Sequence, residues 1–339
     1  MFAMMTVNAQ WQVQDVKTDA SFRGLAVVSD KVVWASGTKG TFVKTTDGGK
    51  NWMAASVPDA DKLDFRDVEA FDANTAYLLS IGNGDLSRIY KTTDGGKTWA
   101  LQFKNENPKA FFDAMAFWDK EHGIAMSDPV DGKILLITTK DGGKHWTPLP
   151  AESLPQALPG EAMFAASGTC IMTRGKSNLW IATGGAASRV HRSTDRGRTW
   201  SVATTPIITG EAAGIFSIAF RNDNEGIIVG GDYKKPNEAK NNVAVTKDGG
   251  KTWTLVEAKG LGGYRSAVTY AATGKVLSMV AAGTSGSDIS ISGGNEWMSL
   301  DKANYNSVVF TNQADVGWAV GPNGRVAKFV RNDIPDSKR

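Results

Sequence analysis

Carboxylates and arginines are the groups in this chain best suited to chemistry, and they fall into two different patterns. Asp47, Asp94, Asp141, Asp195 and Asp248 recur inside one motif, Ser/Thr-x-Asp-x-Gly-x-x-Trp. Its copies read TTDGGKNW (45–52), TTDGGKTW (92–99), TKDGGKHW (139–146), STDRGRTW (193–200) and TKDGGKTW (246–253), with a worn sixth, SISGGNEW, at 290–297. A catalytic acid has no reason to recur at the same place in every copy of a turn, so these aspartates are structural. Glycine supplies positive φ there, and Asp and Ser/Thr side chains hydrogen-bond the backbone two residues on. The second pattern is irregular. Asp113, Asp128, Asp131, Glu161 and Asp232 are the candidate catalytic carboxylates, and Arg23, Arg66 and Arg265 are arginines in comparable surroundings. Two carboxylates could hydrolyse a glycosidic bond, at roughly 5–5.5 Å apart for retention and roughly 6.5–9.5 Å for inversion. Arginines could instead hold carboxylate or phosphate groups, which match the guanidinium fork.

The box tryptophans Trp52, Trp99, Trp146, Trp200, Trp253 and Trp297 are spaced 47, 47, 54, 53 and 44 residues apart. A period of this size marks an array of one supersecondary unit. In the second unit, 65–71 reads as an apolar strand, 72–74 as a turn, 76–80 and 88–91 as two more strands, and 99–103 as a fourth. Four antiparallel strands per period are the blade of a β-propeller. After the sixth box come three strands and no box, while Trp11 and the residues after it resemble the strand that begins at each box Trp. The expected fold is therefore all-β: a single seven-bladed propeller over 10–330, its last blade closed by the N-terminal strand. Blade boundaries are expected near 17–57, 58–105, 106–150, 151–205, 206–257, 258–301 and 302–330 with 10–16. Residues 1–9 read as a leader remnant or disordered segment, and 331–339 as a polar tail.

Strand direction alternates, so loops joining second and third strands share a face with the start of each innermost strand. The boxes lie on the opposite face. Aligning the innermost strands by their apolar residues places Arg23, Arg66, Asp113, Glu161, Phe216, Arg265 and Asn306 at the channel mouth. The polar loop 230–242 adds Tyr233 and Lys234 beside them. The ligand-binding set expected from this is Arg23, Arg66, Asp113, Glu161, Tyr233, Lys234 and Arg265, suited to an acidic ligand or protein segment. The box rim carries Lys50, Lys97, Lys144, Arg198 and Lys251, read as a solvated rim.

A net charge of +3 with interspersed signs contains no basic run for nucleic acid. His122, His145 and His191 are scattered without metal-ligand spacing, so no metal is expected. No G-x-G-x-x-G opens a helix after a strand, and no cofactor is implied. The lone Cys170 lies in an apolar stretch and reads as a core thiol. No apolar run is long enough to span a membrane. Val7-Asn8-Ala9 is like the small-residue end of a signal peptide, which points to an extracytoplasmic location.

The box matches the Asp-box, or bacterial neuraminidase repeat, signature. Whole repeats such as AFDANTAYLLS…RIYKTTDGGKTW resemble the photosystem II stability/assembly factor-like propellers, and SDPVDGK, GEAMFAASGTC, GIFSIAF, GGDYKKP and GYRSAV look like segments of a non-photosynthetic bacterial branch. The resemblance runs from Trp11 to Val330. It implies a non-catalytic scaffold or binding protein, since the photosynthetic members hold a reaction-centre subunit during assembly. Sialidases and tandem-propeller endoglucanases share the box, making glycoside hydrolysis the alternative. Against the sialidase pattern, Phe22-Arg23-Gly24-Leu25 stands where Phe-Arg-Ile-Pro is expected; against the endoglucanase pattern, there is one propeller and no inter-propeller cleft.

Overall fold

Each box folds as a closed hydrogen-bonded turn, and that turn sets the pitch of the whole molecule. In the first, the Thr45 hydroxyl donates to Asp47 Oδ1 and accepts the Gly49 N–H, while Asp47 Oδ1 also accepts the Asn51 N–H. Gly48 and Gly49 take φ of 73° and 90°, which a side chain would resist. Equivalent bonds recur around Asp94, Asp141, Asp195 and Asp248. Backbone and side-chain bonds from Asn51 hold the Asp47 carboxyl at about 2. The sixth box keeps less: Ser292 Oγ accepts the Glu296 N–H at 2.8 Å, with no second carboxylate oxygen to offer.

The computed structural model describes residues 9–273, 276–311 and 316–331. Its strands form seven antiparallel sheets, with two short 3-10 turns, Gly84–Leu86 and Ala151–Ser153. Numbering blades from the N-terminus, blade one comprises Phe22–Val27, Val33–Gly37, Thr41–Thr45 and Met53–Ser56, from the channel outward. Blade two repeats this with Phe65–Ala70, Ala76–Ser80, Arg88–Thr92 and Ala100–Lys104. Blade seven is closed as the sequence predicts: Ala9–Gln14 pairs with Val326–Arg331, Trp11 opposite Phe329. Outside that pairing, the leader and tail segments lie beyond the described residues.

The core is distributed among the seams rather than gathered at one centre. Apolar clusters fill the junctions between neighbouring blades, as where Trp34, Phe42, Phe65 and Leu78 pack between blades one and two. Box tryptophans close the outer ends of several seams edge-on, Trp99 against Phe42 at 5.0 Å and Trp52 against Trp318 at 5.4 Å. Polar staples also reach across. Lys44 Nζ donates to Gly95 O at 2.7 Å while lying 4.8 Å over the Trp34 ring. Lys91 to Gly142 O and Lys328 to Gly48 O repeat the device. Trp180 Nε1 donates to Gly249 O at 2.8 Å in the seam between blades four and five. Every box is thus held by its own turn, and several also by the preceding blade.

Candidate functional site

At the opposite face the innermost strands begin, and four of them begin with a bulge. Register shifts fall between Phe22 and Gly24, Phe65 and Asp67, Phe112 and Ala114, and Ile215 and Ser217. The extra residues are Arg23, Arg66, Asp113 and Phe216. A bulge turns its residue away from the ladder, and here the same irregularity is repeated at one level of the channel.

Four expected mouth residues line one cavity of about 390 Å³: Arg23, Arg66, Phe216 and Asn306. Tyr233, from the 230–242 loop, joins them with Tyr264 and Phe164. Phe164 stacks on Phe216 at 4.0 Å, Tyr264 meets Phe216 edge-on at 4.7 Å, and Tyr233 closes edge-on against both phenylalanines. The arginines face this aromatic wall. Arg66 Nε donates to Asp64 Oδ2 at 2.8 Å. Among the described residues Arg23 has no carboxylate partner; its Nη1 donates to Ala166 O at 3.0 Å. Burial, and then the charge of Arg66, pull Arg23 below its ordinary value. An anion placed between the two would relieve that repulsion.

Other expected members fall elsewhere. Arg265 is fully buried and bound to Asp288, Nε to Oδ2 at 2.7 Å. The reason is register. Its N–H donates to Gly230 O of the preceding blade, as Phe22 does to Gly321 O and Tyr305 to Gly283 O, so it occupies the buried position before the mouth. Glu161 is not on an innermost strand, because that of blade four is Ile171–Arg174. Glu161 sits instead in the two-residue strand Glu161–Ala162, buried among Arg189, His191 and Thr183. Burial works to raise its carboxyl, but the bonds from these three and the Leu158 N–H hold it at about 2. Asp113 is buried and raised well above its ordinary value by burial and then Asp128. Asp128 Oδ1 accepts the Met163 N–H at 2.8 Å. Asp131 pairs with Lys109 at 2.9 Å, Asp232 accepts the Lys234 N–H in its own turn, and Lys234 reaches Glu211. No carboxylate is among the described residues lining the cavity.

The cavity floor is not among the expected site residues. Residues 163–169 leave blade four and cross the channel as a strap. Ala165 O and Ala166 O accept from Arg66 and Arg23. Ser167 Oγ donates to Ser266 O of blade six, and Ser167 O accepts from Ser307 of blade seven. Thr169 Oγ1 lies 2.7 Å from Ser217 Oγ of blade five. One signal could have found it: Trp146 and Trp200 stand 54 residues apart where the preceding intervals are 47, and the extra chain ends in small residues able to thread the channel.

Residues 3–99 match the family model of photosynthesis system II assembly factor YCF48. A solved structure described as YCF48 bound to D1 peptide superposes with a TM-score of 0.66 at 16% identity, covering 95% of this chain and 97% of that one. The chain is similar to the photosystem II assembly-factor propellers. YCF48 from Cyanidioschyzon merolae gives a TM-score of 0.67 at 16% identity, covering 94% of this chain and 98% of that one. The Neurospora crassa Pan2 WD40 domain gives 0.65 at 13% identity, covering 99% and 98% respectively, so the fold extends to propellers of other kinds. No curated protein sequence matches the chain. No helix among the described residues is long and apolar enough to cross a membrane.

Proposed function

We propose that the chain is a non-catalytic binding propeller that takes a carboxylate-bearing protein segment at the channel mouth, on the face opposite the boxes. One observation carries the reading: among the described residues Arg23 lacks a carboxylate partner, beside Arg66, in a cavity walled by Phe164, Phe216, Tyr233 and Tyr264. The guanidinium pair suits a carboxylate, and the aromatic wall suits the apolar body that carries it. The structural neighbour described as bound to D1 peptide supports a peptide as the ligand class. The acid candidates for glycoside hydrolysis lie outside the cavity lining, so nothing in the geometry favours that alternative.

The test is calorimetric titration with acidic and neutralised peptides at two salt concentrations. The reading expects the acidic peptide to bind, more weakly at high salt, and Arg23→Glu to remove that binding while the near-UV spectrum is kept. Equal binding of both peptides, or undiminished binding by the variant, contradicts it. An extracytoplasmic location is part of the same proposal, resting on the signal-peptide-like Val7-Asn8-Ala9, and is tested by fusing residues 1–20 to an export reporter.

A further inference from the structure

The strap divides the channel. Above it lies the mouth cavity; below it, toward the boxes, lies a second cavity of about 310 Å³ walled by Leu25, Val68, Ile171, Ile218 and Val308. Asp67 and Glu69 are the only acids among the described residues of that wall. Both depart from the repeat. Glu69 stands opposite Tyr77, at the level where four other blades place Ala26 opposite Trp34, Ala116 opposite Ile124, Ala219 opposite Ile227 and Val309 opposite Trp318. Asp67 stands where blades one, three and five have Gly24, Ala114 and Ser217. Asp67 Oδ2 accepts the Met115 N–H of blade three at 2.7 Å; between blades five and six the Ser217 hydroxyl accepts the Val268 N–H in the same way, so a seam of this kind does not require an acid.

Asp67 touches the strap from beneath, and Glu69 lines the same cavity. Gly168 packs so closely on Asp67 that a Cβ would collide with Oδ1. Asp128 holds the other end through the Met163 N–H. Asp113 is within electrostatic reach of Asp128 and Arg66, with Oδ2 buried and unpartnered. Strap residues Ala165, Ala166, Ser167 and Gly168 are small, and three of them cross the channel by hydrogen bonds, so seating depends on polar partners.

We infer that the 163–169 strap is a pH-sensitive closure between the two halves of the channel: seated while Asp67, Glu69, Asp113 and Asp128 hold protons, and loosened as they ionise. Neutral acids leave Arg66 bonded to Ala165 O. Ionised acids compete for Arg66, and the negative charge gathered in a buried lumen favours admitting water past the strap. Burial acts in the required direction at all four sites, raising each carboxyl, with Glu69 at about 8. The remaining charged groups around the strap do not compensate. Arg23 is held at Ala166 O and Asp64 pairs with Arg66. Glu161, Arg189 and His191 form their own cluster at the base of the strap, and Arg265 is taken by Asp288. Cys170, buried next to the strap, is pushed up by burial and then by Asp113 and Asp67, and stays a neutral thiol. Blades five and seven face the strap with the hydroxyls of Ser217 and Ser307.

This closure does not depend on what the mouth binds. The experiment is hydrogen–deuterium exchange of the 163–169 amides in the full chain at about pH 6 and about pH 9, normalised to unfolded-peptide rates. Protection of these amides is expected to fall by roughly tenfold or more at the higher pH, with the blade strands still protected. Glu69→Gln should keep the fold and flatten that dependence, and Asp113→Asn should do so independently. Protection that is the same at both pH values, or a dependence that survives in both variants, overturns the inference.

Discussion

The two faces of this propeller are built on opposite rules. On the box face each intact turn repeats the same hydroxyl, carboxylate and glycine bonds, and its polar atoms are largely used up internally. At the channel, equivalent positions carry Arg23, Arg66, Asp113, Phe216 and Asn306, so the chemistry at one level changes around the ring. Repetition marks what the ring needs in order to close. Departure from repetition marks where selection of a ligand can act, because a seam needs the same solution everywhere and a binding site does not.

The largest effect is expected at a seam. Trp180→Ala removes a fully buried ring that stacks on Phe220 at 4.1 Å and donates to Gly249 O. It should cost about 3–5 kcal/mol, read from urea midpoints, while the folded variant keeps its affinity for an acidic peptide. Arg23→Ala should do the reverse, weakening the peptide roughly tenfold or more at a stability cost of only about 1 kcal/mol, since the bond to Ala166 O is lost while the repulsion with Arg66 is relieved. Equal losses of stability and affinity in either variant would dissolve the distinction between the faces.

The lumen acids separate the faces through pH. Burial raises Glu69 from 4.5 to about 8, so the folded chain holds a proton that the unfolded chain releases. Its stabilising contribution is complete below the lower value and is lost as pH rises through the upper one. Thermal midpoints should therefore fall across that window, and Glu69→Gln should flatten part of the fall. Asp248→Ala, on the box face, should lower the midpoint by roughly 1.5–4 °C at neutral pH through unmet turn bonds. The smallest effect belongs to the worn box: Ser292→Asp restores the missing carboxylate and should raise the midpoint by about 1–2 °C.

Much of this is readable in the chain itself. The Trp period and the unfinished last unit suffice for seven blades and for their closure, because both follow from local turn chemistry that the residues spell out. Arg23, Arg66, Asp113 and Phe216 can be placed at the right level because a Phe or Ile precedes each as an anchor. Arg265 is misplaced by one residue in such an alignment because blade six shows no bulge: Ala267 pairs with Ala282 and the ladder runs on without a shift. Glu161 misleads because its apolar neighbours, Met163 and Phe164, imitate a strand while belonging to the strap. The strap is held by hydroxyls and backbone groups from several blades, contacts whose sequence separation leaves no periodic trace.

Binding is proposed at the channel mouth, and the boxes are left a structural role. Two variants set that division at risk: Arg23→Ala with Arg66→Ala, and alanine at Lys50, Lys97, Lys144, Arg198 and Lys251 together. Both are titrated with one acidic peptide at one salt concentration. The mouth variant is expected to lose binding and the rim variant to retain it. Retention by the mouth variant with loss by the rim variant would contradict the division and move the working surface to the box face.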